Sequence, residues 1–118
     1  MNKIILCGRL TRDPELRYTK SGKPYVRGTI AVDRQFQKDQ TDFIYFTAWG
    51  KTAENLAVYT GKGSRVIFEG RLQQNSYEKD GRDVETFEVV VDNANFIDFK
   101  KRDDAPAPPD DDDSELPF

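Results

Sequence analysis

The sequence predicts an all-β domain with one short helix, closed into a small barrel and followed by a disordered acidic tail. Three observations carry this. Five stretches are rich in strand formers, and two of them, YVRGTIAVDR and SRVIFEGRLQQNSY, repeat their apolar residues with the period of two that marks a strand. One interval, after the third stretch, changes to helical spacing. Beyond Arg102 the composition becomes DDAPAPPDDDD, in which proline and aspartate leave nothing to build a core. A chain of 118 residues suffices for one domain with a single core. The expected organisation is a barrel over 1–102, a short proline-rich linker over 103–109 and an acidic tip over 110–118.

The first stretch, KIILCGRL, is rich in strand formers and breaks near Asp13-Pro14. SGKP at 21–24 signals a turn. YVRGTIAVDR follows, with Val26, Ile30 and Val32 sharing one parity. TDFIYFTAW is the third and most aromatic stretch. Ala53, Leu56, Ala57 and Thr60 then follow helical spacing, with Thr52 as predicted N-cap and Gly61 as predicted stop. SRVIFEGRLQQNSY returns to period two and predicts Val66, Phe68, Gly70 and Leu72 facing inward. Asp80-Gly81 is a strong hairpin signal. VETFEVVVDNANFIDF completes the set, with a bend expected at Asn93–Asn95. The order β-β-β-α-β-β is that of a five-stranded OB-fold barrel, a Greek-key architecture that often binds single-stranded nucleic acid on one face.

Composition removes several function classes. A lone cysteine, Cys7, permits neither an internal disulfide framework nor a thiolate zinc site, and its apolar setting predicts a buried thiol. With no histidine, Ser-His-Asp and Cys-His nucleophilic systems are excluded. No apolar run is long enough to span a membrane, and Arg9 interrupts the N-terminal apolar stretch too early for a signal peptide. A cytoplasmic protein is the expectation. The net charge of −3 conceals an asymmetry: seven of the 21 acids lie in 103–118, which has no Lys or Arg, so 1–102 carries 18 bases against 14 acids, a net of +4. A basic body with an acidic tail suits a nucleic-acid binder that also recruits partners.

The third stretch points to the binding face. Ile44, Phe46 and Ala48 share one parity and suit a barrel interior. Phe43, Tyr45, Thr47 and Trp49 share the other and must cover something else. Arg65, Arg71, Gln73, Asn75 and Tyr77 face outward from the fourth stretch. Phe36, Phe43, Trp49 and Tyr77 interleaved with Arg34, Lys51, Arg71 and Lys79 is the composition of a single-strand groove, where bases stack on rings and cations track phosphates. Phe87 and Phe96 are expected in the core, and Tyr59 packed on the helix. The exposed rings also fit a subunit interface, and an OB-fold protein-interaction module without a DNA role is the alternative reading. Neither an enzyme nor a cofactor is expected: Asp13, Glu15, Asp33, Asp42 and Glu54 are scattered, where a metal-dependent nuclease needs convergent carboxylates. No basic recognition helix for duplex DNA is present.

MNKIILCGRLTRDPELRYTKSGKP, TIAVDR, TDFIYFTAWGKTAENLAVYTGKGSRV, EGRLQQNSYE and EVVV, together with the LPF ending, resemble bacterial and phage single-stranded-DNA-binding proteins, from residue 1 to about 99 and again at the tip. The resemblance implies a homotetramer that coats and protects single-stranded DNA in replication, recombination and repair. It implies stacking on Phe36, Phe43, Trp49 and Tyr77. Cations toward the strand would be Arg9, Arg34, Lys51, Lys62, Arg71 and Lys79, beside Tyr45, and the first stretch from Lys3 to Leu10 would help form a dimer. The tip, Asp110, Asp111, Asp112, Asp113, Glu115, Leu116, Pro117 and Phe118, looks like the family's partner-binding segment, its apolar end entering a pocket and its acids lying along a basic rim. The −7 segment is also expected to compete with phosphates for the +4 body. The sequence departs from the family at Gly28, usually a bulky apolar residue, in the short QKDQTD connection, and in the brief 103–109 linker.

Overall fold

The computed structural model describes residues 1–37 and 39–98. The predicted linker at 103–109 and the tip at Asp110–Phe118 lie outside the described residues. Six strands and one helix follow in the order β1 (Ile4–Leu10), β2 (Arg17–Tyr18), β3 (Pro24–Asp33), β4 (Thr41–Trp49), α1 (Gly50–Tyr59), β5 (Arg65–Lys79) and β6 (Arg82–Phe96). Their order across the sheet is β1-β5-β6-β4-β3-β2, and β1 also pairs β3 through Arg9↔Ala31 and Leu10↔Ile30, which closes the barrel. All neighbours are antiparallel except β4 and β6, which run parallel over Phe46↔Val89, Thr47↔Val90 and Ala48↔Val91. This is the OB-fold, with the helix between the third and fourth long strands. The unforeseen β2 has two residues, too few to show a period, and pairs the start of β3 across the Gly22 turn.

Inward alternation builds the core. Leu10, Val26, Ile30, Phe46, Ala48, Val66, Phe68, Val89 and Val91 are buried together, and Phe46 meets Phe68 at 4.6 Å between ring centroids. Ala53 and Leu56 of α1 close one end. Gly28 pairs with Phe46, whose ring fills the interior volume that a bulky residue at 28 would take: a Cβ there would stand 3.0 Å from two ring atoms.

Several expectations are corrected. The helix starts at Gly50, not after Thr52: Trp49 ends β4 in an extended conformation and serves directly as N-cap with no side-chain bond, which puts Thr52 inside the first turn. It stops at Thr60, whose backbone N–H and hydroxyl both donate to the Leu56 carbonyl. Gly61 instead donates its N–H to the Ser64 hydroxyl. Cys7 is exposed, because β1 alternates and sends Ile5, Cys7 and Arg9 outward from the barrel. Tyr59 is exposed on α1, with its ring 6.3 Å from that of Phe96. Phe96, as expected, packs against the core.

Leu72 and Phe87 are exposed for a common reason. The β5–β6 hairpin runs past the barrel to a tight turn at Asp80-Gly81, where both residues have positive φ (53° and 76°) as a two-residue hairpin requires. Residues of inward parity on its far half have no interior to enter. Leu72 is held at its backbone instead, donating to the Asn2 side-chain oxygen at 3.0 Å and accepting from the Asn2 amide at 2.7 Å. The irregularity in β6 falls at Asp92 rather than Asn93–Asn95. Register passes from Glu69↔Asn93 to Gly70↔Val91, leaving Asp92 as the extra residue of a bulge. Gly70 sits at that step because β6 passes close: a Cβ there would fall 2.0 Å from the Val90 carbonyl oxygen.

Candidate nucleic-acid interface

On the outer face, β3 and β4 form one wall and the β5–β6 hairpin the other. Between them lies an open groove of about 1050 Å3. From the first wall it is lined by Lys23, Arg27, Tyr45, Thr47 and Trp49, and from the second by Arg71, Gln73, Asn75, Tyr77 and Phe87. Rings therefore stand on both walls, with cations beside them.

The outward parity of β4 positions most of the aromatic surface. Phe43 is 66% exposed, Tyr45 64% and Trp49 36%. Thr47, between Tyr45 and Trp49, is only 1% exposed; it forms part of the floor, donating its hydroxyl to the Glu88 carboxylate at 3.1 Å. Trp49 is the most closely supported of these rings. Tyr25, its register partner on β3, lies 5.3 Å away between centroids at 39°, and Lys23 Nζ sits 4.9 Å from the ring centroid in a cation–π contact. On the hairpin, Arg71 lies 3.8 Å from the bulged Asp92 carboxylate and donates to Gln73.

Of the residues expected from sequence, Tyr45, Trp49, Arg71 and Tyr77 are brought together in this groove. Phe36 and Phe43 are exposed at the far end of β3 and β4, outside its lining. Arg34 lies in the same connection, but its guanidinium is engaged: Nε and a terminal nitrogen both reach the Asp42 carboxylate at 3.0–3.2 Å, and the other nitrogen donates to Gln37. The hydrogen bonds that Arg34 donates to Asp42, and then the charge of Asp42, raise the Arg34 pKa above the ordinary arginine value, so this group stays charged. Arg9 stands on the outer side of β1 opposite Arg65. Lys51 is exposed on the first turn of α1, and Lys79 is exposed beside the hairpin turn opposite Arg82. Lys62 is exposed in the turn after α1, its backbone N–H on the Asp13 carboxylate at 2.7 Å.

Lys23, Tyr25, Arg27 and Phe87 were not among the expected site residues. Tyr25 and Arg27 share the outward parity of β3, opposite Val26 and Ile30, so alternation alone contained the signal. Among the described residues no group of three or more His, Cys, Asp or Glu could hold a metal ion. The scattered carboxylates have separate uses: Glu15 pairs with Arg17, Asp33 accepts from the Thr41 hydroxyl, Asp42 holds Arg34 and Asp13 accepts from Lys62. No helix among the described residues is long and apolar enough to cross a membrane.

Comparison with known proteins places the chain in a family. Residues 1–97 match the model of the single-strand binding protein family. The chain is 49% identical to a protein of Clostridium perfringens named single-stranded DNA-binding protein, over 83% of this chain and 67% of that one. A protein of the same name from Fusobacterium nucleatum is 45% identical, over 85% and 69%. Single-stranded DNA-binding protein B of Bacillus subtilis is 44% identical, over 88% of this chain and 96% of its own length. The match spans every strand and the helix, and on that ground the chain belongs to the single-strand binding protein family.

Proposed function

We propose that this protein binds single-stranded DNA without sequence preference, laying the strand along the groove between β3–β4 and the β5–β6 hairpin. The observation that carries the reading is the pairing of exposed rings on both walls, Tyr45 and Trp49 against Tyr77, with Lys23, Arg27 and Arg71 beside them. Every base has a π-face, so such rings accept any sequence, each stacked base contributing about 1–3 kcal/mol. The cations meet the phosphates and make binding depend on salt. Phe36, Phe43 and the exposed Lys51, Lys62 and Lys79 extend the path beyond the groove, and Arg9 and Arg34 serve it at its margins. The names of the relatives support the same ligand.

In this reading the protein coats and protects single strands in replication, recombination and repair within the cytoplasm, as a homotetramer. The outward Ile5 and Cys7 of β1 supply an apolar edge for self-association. The acidic tip, Asp110–Asp113 with Glu115 and Leu116–Phe118, recruits partner proteins. A pull-down with the Leu116–Phe118 deletion tests that role, and unchanged recruitment would remove it.

The test of the ligand uses the single tryptophan. Titration with oligo(dT) at low and moderate salt should quench Trp49 strongly and saturably, and duplex DNA should quench it little. Absence of quenching and of binding would sink the reading and return the aromatic face to a protein-interaction role.

A further inference from the structure

A second cleft, of about 500 Å3, opens on the other side of Tyr45, between the loop that follows β1 and the outer face of β3. It is continuous with the main groove: Arg27, Gly28, Thr29 and Tyr45 line both. Tyr45 rises at this saddle, well exposed. Arg12 belongs to the second cleft alone. Its loop is fixed on β3, since both the backbone N–H and the hydroxyl of Thr11 donate to the Thr29 carbonyl, at 3.2 and 3.1 Å.

The charges of this cleft are unequal in availability. Of its two carboxylates, Glu15 is paired with Arg17 at 2.8 Å, and Asp13 accepts the Lys62 backbone N–H. Arg12 and Arg27 form no ion pair among the described residues. Two uncommitted guanidiniums flank an exposed ring, one of them shared with a groove that already suits a single strand. Guanidinium groups meet phosphate oxygens with a planar fork of donors.

We propose that Arg12 and Arg27, with Tyr45 between the grooves, form a second nucleotide subsite: the strand leaves the main groove over Gly28, keeps a base against Tyr45 and places a phosphodiester between the two guanidiniums. The inference rests on the single-strand reading above and adds a direction of travel, from the hairpin wall toward the β1–β2 loop.

The experiment compares wild type with Arg12→Ala and Arg12→Glu, using oligo(dT) of about 5 and about 16 nucleotides, within the range one such domain covers. Arg12 is exposed and outside the main groove, so the short strand should bind both variants as it binds wild type. The long strand should bind Arg12→Ala about two- to fivefold more weakly at low salt, and Arg12→Glu more weakly still. Its salt slope should fall by about 0.7, the share of the single phosphate that Arg12 neutralises. Wild-type affinity and salt slope for both lengths in both variants would overturn the second subsite and leave the main groove standing. Failure of wild type to bind either length would overturn the single-strand reading and the inference with it.

Discussion

The Trp49 ring rests 5.3 Å from the Tyr25 ring, with the Lys23 ammonium 4.9 Å from its centre. A stacking platform held before the ligand arrives loses less side-chain freedom on binding. Removing the support with Tyr25→Ala should weaken oligo(dT) binding about two- to tenfold, the range of an aromatic pair. Tyr25→Phe should keep wild-type affinity. Fluorescence titration at fixed salt measures both; equal affinity for Tyr25→Ala would show that Trp49 needs no neighbour.

Phe68 and Tyr77 separate stability from binding. Phe68 is wholly buried and Tyr77 is 49% exposed at the groove. Phe68→Ala should cost about 3–5 kcal/mol of folding stability. Tyr77→Ala should cost under about 1 kcal/mol of stability and about 1–3 kcal/mol of oligo(dT) affinity. Urea melts and titrations on the same samples read the two effects apart.

Gly70 is the tightest backbone passage in the barrel for which the added atom meets main chain at 2.0 Å. Neither Val90 nor Gly70 can move without disturbing the β5–β6 ladder at its bulge. Gly70→Ala should therefore cost about 3 kcal/mol or more, seen as a large drop in the urea midpoint. A midpoint within experimental error of wild type would contradict the register given for this step.

Removal of 103–118 takes away seven acids and leaves a body of net charge +4. Oligo(dT) binding should tighten, and mostly at low salt, where the Debye length exceeds about 10 Å. Equal affinity with and without the segment at both low and high salt would refute competition between the tail and phosphates.

Much of this architecture was legible because strand parity is a local property. Ile44, Phe46 and Ala48 were read inward and Phe43, Tyr45 and Trp49 outward from one run of residues, and the structure places them so. Asp80-Gly81 announced its turn through the rarity of other residues at positive φ. What escaped depends on where the barrel ends. Leu72 and Phe87 carry the inward parity of their strands, but nothing local says that the hairpin outruns the core. Cys7 failed for the opposite reason: an unbroken apolar run hid an alternation that only pairing with β5 reveals. Tyr45, Trp49, Arg71 and Tyr77 were singled out by parity and composition, and they line one groove. Tyr25 and Arg27 had the same signal, but their partnership with β4 is a matter of register, and Tyr25↔Trp49 cannot be known until the two strands are aligned.

The parallel seam between β4 and β6 consists of three register pairs, far fewer than the seams on either side. It runs beneath the groove, with Thr47, Val90 and Val91 on the floor. A strand lying across that floor touches both walls and so acts as an external staple over a short join in the barrel. Ligand and fold are then thermodynamically linked. Saturating oligo(dT) should raise the thermal midpoint, by the equivalent of about 2.7 kcal/mol at a hundredfold excess over Kd, and amide exchange should slow at Thr47, Val90 and Val91 before it slows in the core of β1.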